Sequence, residues 1–286
     1  MDKEKRLFFQ IVFITIFILC SATTISASDN FLASNSPALQ RIKRTGVIRV
    51  GINPLFKPFS FLDKDGNRVG IDIDIAKLLA NQLGVKPELV APESFCDLIP
   101  TLQKGDIDVV IAGMTINFNR AKVVDFTAPY FDTGLSIMLN KVSSGKARIP
   151  PAKSYTELIE GLKATGKEDR LIIAVMKGTS PARSVPIFFP KAQIREYPTN
   201  EEAAEAVLHG DAHITVNDEP FLKVWFNDHR QEALYKLFVF QEPFKPDHYG
   251  FAINKGNQSF LNMLNVFVME LRVEGYLERF MNKYLK

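Results

Sequence analysis

Apolar positions along this chain switch repeatedly between a period of two and a period near 3.6, and the switches mark its elements. VIRVGI (47–52) predicts a buried strand, and FSFLDKDGNRVGI predicts two short extended pieces around an Asp65-Gly66 turn. DIAKLLANQLG comes next at helical spacing: Ile75, Leu78, Leu79 and Gln82 share a face, Asp74 is placed to cap the start and Gly84 to end it. PELVAP predicts a strand, FCDLIPTLQKG a helix and IDVVIAG (107–113) a third strand. The idiom then returns. SYTELIEGL opens on a capping box, Ser154 with Glu157; LIIAVM (171–176) is an apolar strand; TNEEAAEAVLHG pairs Thr199 with Glu202 and closes on Gly210; ITV (214–216) is a further strand. In the last predicted helix, SFLNMLNVFVMEL, the residues Phe260, Leu264, Phe267, Val268 and Leu271 form one apolar face suited to packing on a sheet.

Two phrases match each other, LQKGDIDVVIAGM and VLHGDAHITVNDE: a helix end, a Gly-Asp turn, a strand, then a polar segment. This predicts two α/β lobes of similar construction. Two crossings are expected between them, GLSIMLNK (134–141) outward and EPFKPDHYGFAINK (242–255) on the return, which makes the first lobe discontinuous. The expected division is lobe 1 at 29–139 plus 246–286 and lobe 2 at 140–245. Open α/β sheets bind ligands beyond the carboxyl ends of their strands. Arg120 lies beyond one such strand and Asp218 beyond the other, so a cleft between the lobes would show a cation on one wall and an anion on the other. That arrangement is complementary to a zwitterion.

The first 28 residues have a different pattern. MDKEKR is a charged start, LFFQIVFITIFIL an apolar run and SATTISAS a small-residue stretch suited to cleavage, so they read as a signal peptide. The apolar run is shorter than the roughly 20 residues of a membrane-spanning helix, and a soluble, exported mature protein is expected, periplasmic in location. Cys20 is preceded by Leu19 where a lipoprotein signal takes a small residue, which argues against lipid anchoring. Removing the leader leaves Cys96 alone, without an intramolecular disulfide, and a lone Cys beside Asp97 is expected to be a small buried hydrophobe.

Composition adds only exclusions. With 35 Lys and Arg against 32 Asp and Glu the charge is +3 and scattered, which gives no footprint for nucleic acid. His209 and His213 are four apart but separated by Gly210, so no metal site is expected, and no sequence feature calls for a cofactor. Asp72 and Asp74 read as helix-starting carboxylates rather than ligand contacts.

GIDIDIAKLLANQL (70–83) and GMTINFNRAKVVDFTAPY (113–130), with FKPFSF, SFCDLIPTLQKGDIDVVIAGM, MKGTSP and NDEP in order, resemble the bacterial extracellular solute-binding proteins of family 3, the amino-acid receptors of ABC importers. The likeness covers roughly residues 44–285. It implies a two-lobed periplasmic-binding-protein fold of type II, a monomeric receptor, an amino-acid ligand and a membrane permease as partner. It further implies that Arg120 grips the ligand's α-carboxylate with help from Gly113 and Thr115. By the same likeness Asp218 receives the α-ammonium, Phe56 and Phe95 sandwich the side chain, and Gly178, Thr179 and Ser180 add donors from the second lobe. Arg suits the first role because its planar fork offers two parallel donors to a carboxylate. Asn53 replaces an acid that receptors for basic amino acids use, so the pocket of Asn53, Met176 and the two Phe rings implies a neutral polar or moderately apolar ligand. Asn117 also resembles the second hallmark of the cyclohexadienyl (arogenate/prephenate) dehydratases, enzymes of the same superfamily. Their general-acid Glu is replaced here by Pro181, which has no proton to give, so a receptor rather than an enzyme is expected.

Overall fold

The computed structural model describes residues 35–285; the expected leader with its expected cleavage site, and Cys20, lie outside the described residues. Helix α1 (Pro37–Thr45) precedes β1 (Val47–Gly51), the small pair β2 (Phe61–Leu62) and β3 (Arg68–Val69), and α2 (Ile71–Gln82). Then come β4 (Lys86–Val90), α3 (Leu98–Gln103), β5 (Val109–Val110), α4 (Phe118–Ala121) and β6 (Val124–Phe126). The long strand β7 (Phe131–Asn140) leads to α5 (Lys141–Lys146), α6 (Tyr155–Thr165), β8 (Ile172–Met176), α7 (Ser180–Phe188) and β9 (Gln193–Tyr197). After α8 (Asn200–His209) come β10 (Ile214–Asp218), α9 (Glu219–Asp228), α10 (Arg230–Lys236) and β11 (Leu237–Val239). The chain returns through β12 (Lys245–Tyr249) and β13 (Ala252–Asn254) and closes with α11 (Gln258–Val273) and α12 (Tyr276–Tyr284).

The two principal sheets have the same plan. One runs β4-β1-β5-β13-β6, the other β9-β8-β10-β7-β11. In each, three parallel strands meet an antiparallel crossing strand, β13 in the first and β7 in the second, with an edge strand beyond it. The matched sequence phrases fall on β5 and β10, the equivalent middle strands of the two sheets.

β7 and β12 form the connection. β12 pairs with the first half of β7, from Phe131 opposite Tyr249 to Leu135 opposite Lys245, while the second half of β7 pairs with β10 and β11. Leu135 to Leu139, assigned to the first lobe from sequence, are therefore hydrogen-bonded within the second sheet. The ribbon packs against first-lobe rings: Tyr249 stacks on Phe131 at 5.8 Å and meets the edge of Phe59 at 5.2 Å.

Local rules explain most element boundaries. Ser154 and Thr199 cap α6 and α8 by accepting from the backbone N–H of Glu157 and Glu202, and Gly166 and Gly210 end those helices in the left-handed region. Glu157 completes its box one residue early, accepting from the Lys153 N–H. The predicted face of α11 is buried residue for residue. Three expectations change. The strand expected over 107–113 is reduced to Val109–Val110, because the chain bends away beyond Ile111 toward the cleft. α2 begins at Ile71, so Asp74 is inside its first turn without a capping bond and pairs with Lys283 at 2.8 Å. Asp72 is fully buried and accepts the Tyr130 hydroxyl proton at 2.6 Å, a tertiary bond rather than a helix cap.

Candidate functional site

A cleft of about 340 Å³, counting space open to solvent, lies between the two sheets and is lined from both. Its first wall carries Asn53, Phe56, Phe95, Gly113, Thr115 and Arg120; its second carries Met176, Thr179, Ser180, Pro181, Asn200, Asn217 and Asp218. Of the nine ligand-binding residues Asn53, Phe56, Phe95, Gly113, Thr115, Arg120, Gly178, Thr179 and Asp218 expected from sequence, all but Gly178 stand around this one cavity.

Arg120 is positioned by backbone around it. The segment Met114–Ile116 is pinned to β12, with Ile116 N–H donating to the His248 carbonyl and Gly250 N–H to that of Met114. Asn117 caps α4 by accepting from the Arg120 N–H at 3.0 Å. From this frame the guanidinium turns back, donates through Nη1 to the Thr115 carbonyl at 2.9 Å and lies 5.2 Å from the Phe95 ring centroid. It is 9% exposed and has no carboxylate partner within ion-pair distance among the described residues. Burial, with Arg183 adding like charge, pushes it down to about 10. A planar cation with spare donors is therefore aimed into a nearly dry space.

Asp218 ends β10 on the facing wall. Burial raises its carboxyl to about 7; Asp247 adds to the rise, while the Tyr249 hydroxyl, Lys245 and Arg120 oppose it. The Tyr249 hydroxyl beside it makes no bond of ordinary geometry, so Oδ1 is left buried and incompletely satisfied, the kind of group whose isolation costs stability unless a donor arrives.

Gly113 shows why a residue without a side chain is needed on the floor. It has φ +55°, and a Cβ there would lie 2.6 Å from the Phe56 ring. Its N–H donates to the Tyr130 hydroxyl at 3.2 Å, which in turn donates to Asp72. Asp72, raised to about 7 by burial, thus anchors the floor from beneath rather than lining the cavity.

Phe56 stacks on Phe59 at 5.2 Å and on Phe221 of the opposite lobe at 6.0 Å, whereas Phe95 faces Arg120. Thr179 caps α7, accepting from the Ala182 N–H and donating to the Met176 carbonyl at 2.7 Å. Gly178 lies at the rim against the Cys96 thiol, where a Cβ would overlap the sulfur. Cys96 is correspondingly exposed, not a core hydrophobe, with Sγ 3.7 Å from the Lys177 carbonyl across the rim.

Sequence reasoning misses Asn200, Asn217 and Asp247. Asn217 stands in the quoted NDEP, and Asn200 comes directly after the Thr199 cap, so both have a signal in their places. Asp247, 5% exposed, sits on β12 with Lys245 at 3.2 Å and the Ser180 hydroxyl at 3.4 Å; nothing in KPDHY distinguishes it from surface charge. His213 accepts from the Ile172 N–H through Nδ1 at 3.0 Å, and no group of three or more His, Cys, Asp or Glu among the described residues is arranged to hold a metal ion. No helix among them is long and apolar enough to cross a membrane.

Fold and cleft together define a class, the two-lobed α/β binding proteins of the periplasmic type. An ancestral amino acid-binding protein described as a precursor of cyclohexadienyl dehydratase superimposes with a TM-score of 0.73 at 35% identity, over 86% of this chain and 99% of that one. The putative binding component of an ABC transporter from Wolinella succinogenes, complexed with lysine, gives 0.74 at 31%, over 84% and 96%. The ABC transporter glutamine-binding protein GlnH of Bacillus subtilis is 26% identical over 96% of this chain and 94% of its own. The chain belongs to the bacterial extracellular solute-binding proteins, family 3, whose model matches residues 48–286. Its curated relatives are named as binding proteins, not enzymes.

Proposed function

We propose that the cleft captures one free amino acid with a neutral polar or moderately apolar side chain, and that the closed form delivers it to the permease of an ABC importer. The observation that carries this reading is a buried cation and a buried carboxyl, Arg120 from one lobe and Asp218 from the other, neither in an ion pair, facing a single cavity. Arg120 takes the α-carboxylate through the donors left free by Thr115, and Thr115, Thr179 and Ser180 surround the same end. Asp218 takes the α-ammonium, which supplies the donor its Oδ1 lacks. Phe56 and Phe95 shield the ligand from the first lobe.

Because the two charges come from different lobes, a zwitterion gains its full set of contacts only when they approach, so it shifts the population toward the closed form. The connecting ribbon of β7 and β12 is the hinge, and Lys57 bonds to Asp228 across the mouth at 2.6 Å when the lobes are together. The relatives support an amino acid as ligand through their names, glutamine for one and lysine for another, without agreeing on the side chain.

The test is a thermal-shift screen of the twenty amino acids with arogenate and prephenate added, followed by calorimetry on the hits. A melting shift with one amino acid and no conversion is the expected result. Turnover of prephenate would overturn it and indicate the dehydratase chemistry of this superfamily despite Pro181, which lines the cleft near Thr179.

A further inference from the structure

The side-chain end of the cleft has a hydrogen-bonding polarity of its own. Asp218 N–H donates to Asn217 Oδ1 at 2.8 Å, which fixes that carboxamide; its Nδ2 then donates to Asn200 Oδ1 at 2.8 Å. Asn200 is thereby oriented with its NH₂ group left over. Across the cleft the Leu55 N–H donates to Asn53 Oδ1 at 3.2 Å, again leaving the NH₂ group. Both orientations trace back to backbone donors that admit only oxygen opposite them. Asn53 and Asn200 are 4% and 5% exposed, both line the cavity, and neither NH₂ has a partner among the described residues.

Asn53 lies on the first wall, three residues before Phe56, and Asn200 on the second, joined through Asn217 to Asp218; the guanidinium is held separately, at the Thr115 carbonyl and the Phe95 ring. The two carboxamides therefore offer the cavity two donor groups, and the free acceptor beside them, Asp218 Oδ1, is the one assigned to the α-ammonium. An ammonium or guanidinium side chain would add donors to donors. A carboxylate would find no cation lining the cavity besides Arg120, which the α-carboxylate occupies. An aliphatic side chain would leave both NH₂ groups unpaired and dry.

We infer that this site, given the amino-acid reading above on which the inference rests, selects a neutral side chain ending in an oxygen acceptor, a carboxamide foremost. Asn53 and Asn200 are the specificity-determining residues.

Isothermal titration of the purified chain with L-glutamine, L-asparagine, L-glutamate, L-methionine, L-lysine and L-arginine decides the matter. One of the two carboxamides is expected to bind about tenfold or more tighter than every other ligand in the set. Lysine, arginine or methionine in first place overturns the inference while leaving an amino-acid receptor standing; no binding by any amino acid overturns both. Asn53→Asp and Asn200→Asp turn donors into acceptors and are expected to move the lysine-to-glutamine ratio toward lysine by about tenfold or more. An unmoved ratio in folded variants refutes the assignment, and the wild-type series stands on its own if either variant fails to fold.

Discussion

Replacing Arg120 by methionine separates what the guanidinium costs the empty fold from what it gives a ligand. Burial lowers its pKa from 12.5 to about 10, a penalty on the charged form of about 3.5 kcal/mol at roughly 1.4 kcal/mol per unit. Against this stand the bond to the Thr115 carbonyl and the contact with Phe95, worth about 1.5–3 and about 0.5–2 kcal/mol. The terms cancel to within about 2 kcal/mol, and methionine retains much of the apolar stem. Ligand-free Arg120→Met is therefore expected to melt within about 8 °C of the wild type.

Binding has no such compensation. Truncating one partner of a buried charge pair costs about 2–5 kcal/mol, which is roughly 30- to 5,000-fold in affinity. The assay is differential scanning fluorimetry with and without ligand. At a thousand times its Kd a ligand adds about 4 kcal/mol, or about 8–16 °C for a chain of this size, and the variant is expected to lose about half of that shift or more. A variant with the full wild-type shift would refute the clamp. A variant that unfolds without ligand would make Arg120 a structural residue that holds Met114–Ile116 in place.

Three further tests probe charge, closure and the rim. Asp218 is raised to about 7, so in the empty protein its contribution to stability is full below the unfolded value near 4 and is lost as pH rises through about 7. An α-ammonium needs the carboxylate, so binding should release close to one proton at pH 6 and almost none at pH 8.5, with affinity falling up to about tenfold per unit below 7. Calorimetry in buffers of different ionisation enthalpy measures this, and no release at pH 6 would remove Asp218 from the ammonium role; Asp72 and Glu201 share the raised value but not the ligand. Gly178→Ala places a Cβ on the Cys96 thiol and is expected to weaken binding, with Cys96→Ala recovering part of the loss in a double-variant titration. Lys57→Ala breaks a half-exposed bridge across the mouth and should raise the dissociation rate about two- to fivefold, an effect erased in high salt.

Legible and hidden features of the sequence divide along the reach of each signal. The capping residues Ser154 and Thr199, the terminating glycines and the apolar face of α11 act over three or four residues, and a window of that width is enough to read them. α7 is hard to read because Pro181 and Pro186 look like breaks, although Pro181 lies in the first turn, where no intrahelical N–H bond is lost. The burial of Asp72 and Asp247 is hidden for a different reason. Each is a short acidic residue in a polar phrase, and only the approach of Tyr130 or Ser180, 58 and 67 positions away, takes it out of water. Asn200 and Asn217 are marked by their places after the Thr199 cap and in NDEP, but the direction each carboxamide presents is set only by partners 17 positions apart.

The repeated phrase explains how a local signal reaches the site at all. Its two copies fall on β5 and β10, which occupy the same place in sheets of identical order, so each lobe delivers a polar segment from the same corner. Facing two such corners across a ribbon brings equivalent positions to a common cleft without any contact between them being encoded locally. The residues beyond the two strands are free to differ, and here they do. β5 runs on into a loop and the one-turn helix bearing Arg120, while β10 ends on Asp218 itself. A fold built from two like halves thus acquires a polar axis, cation on one wall and carboxyl on the other, and on the function proposed above a dipolar guest would be held in one orientation because the halves differ there.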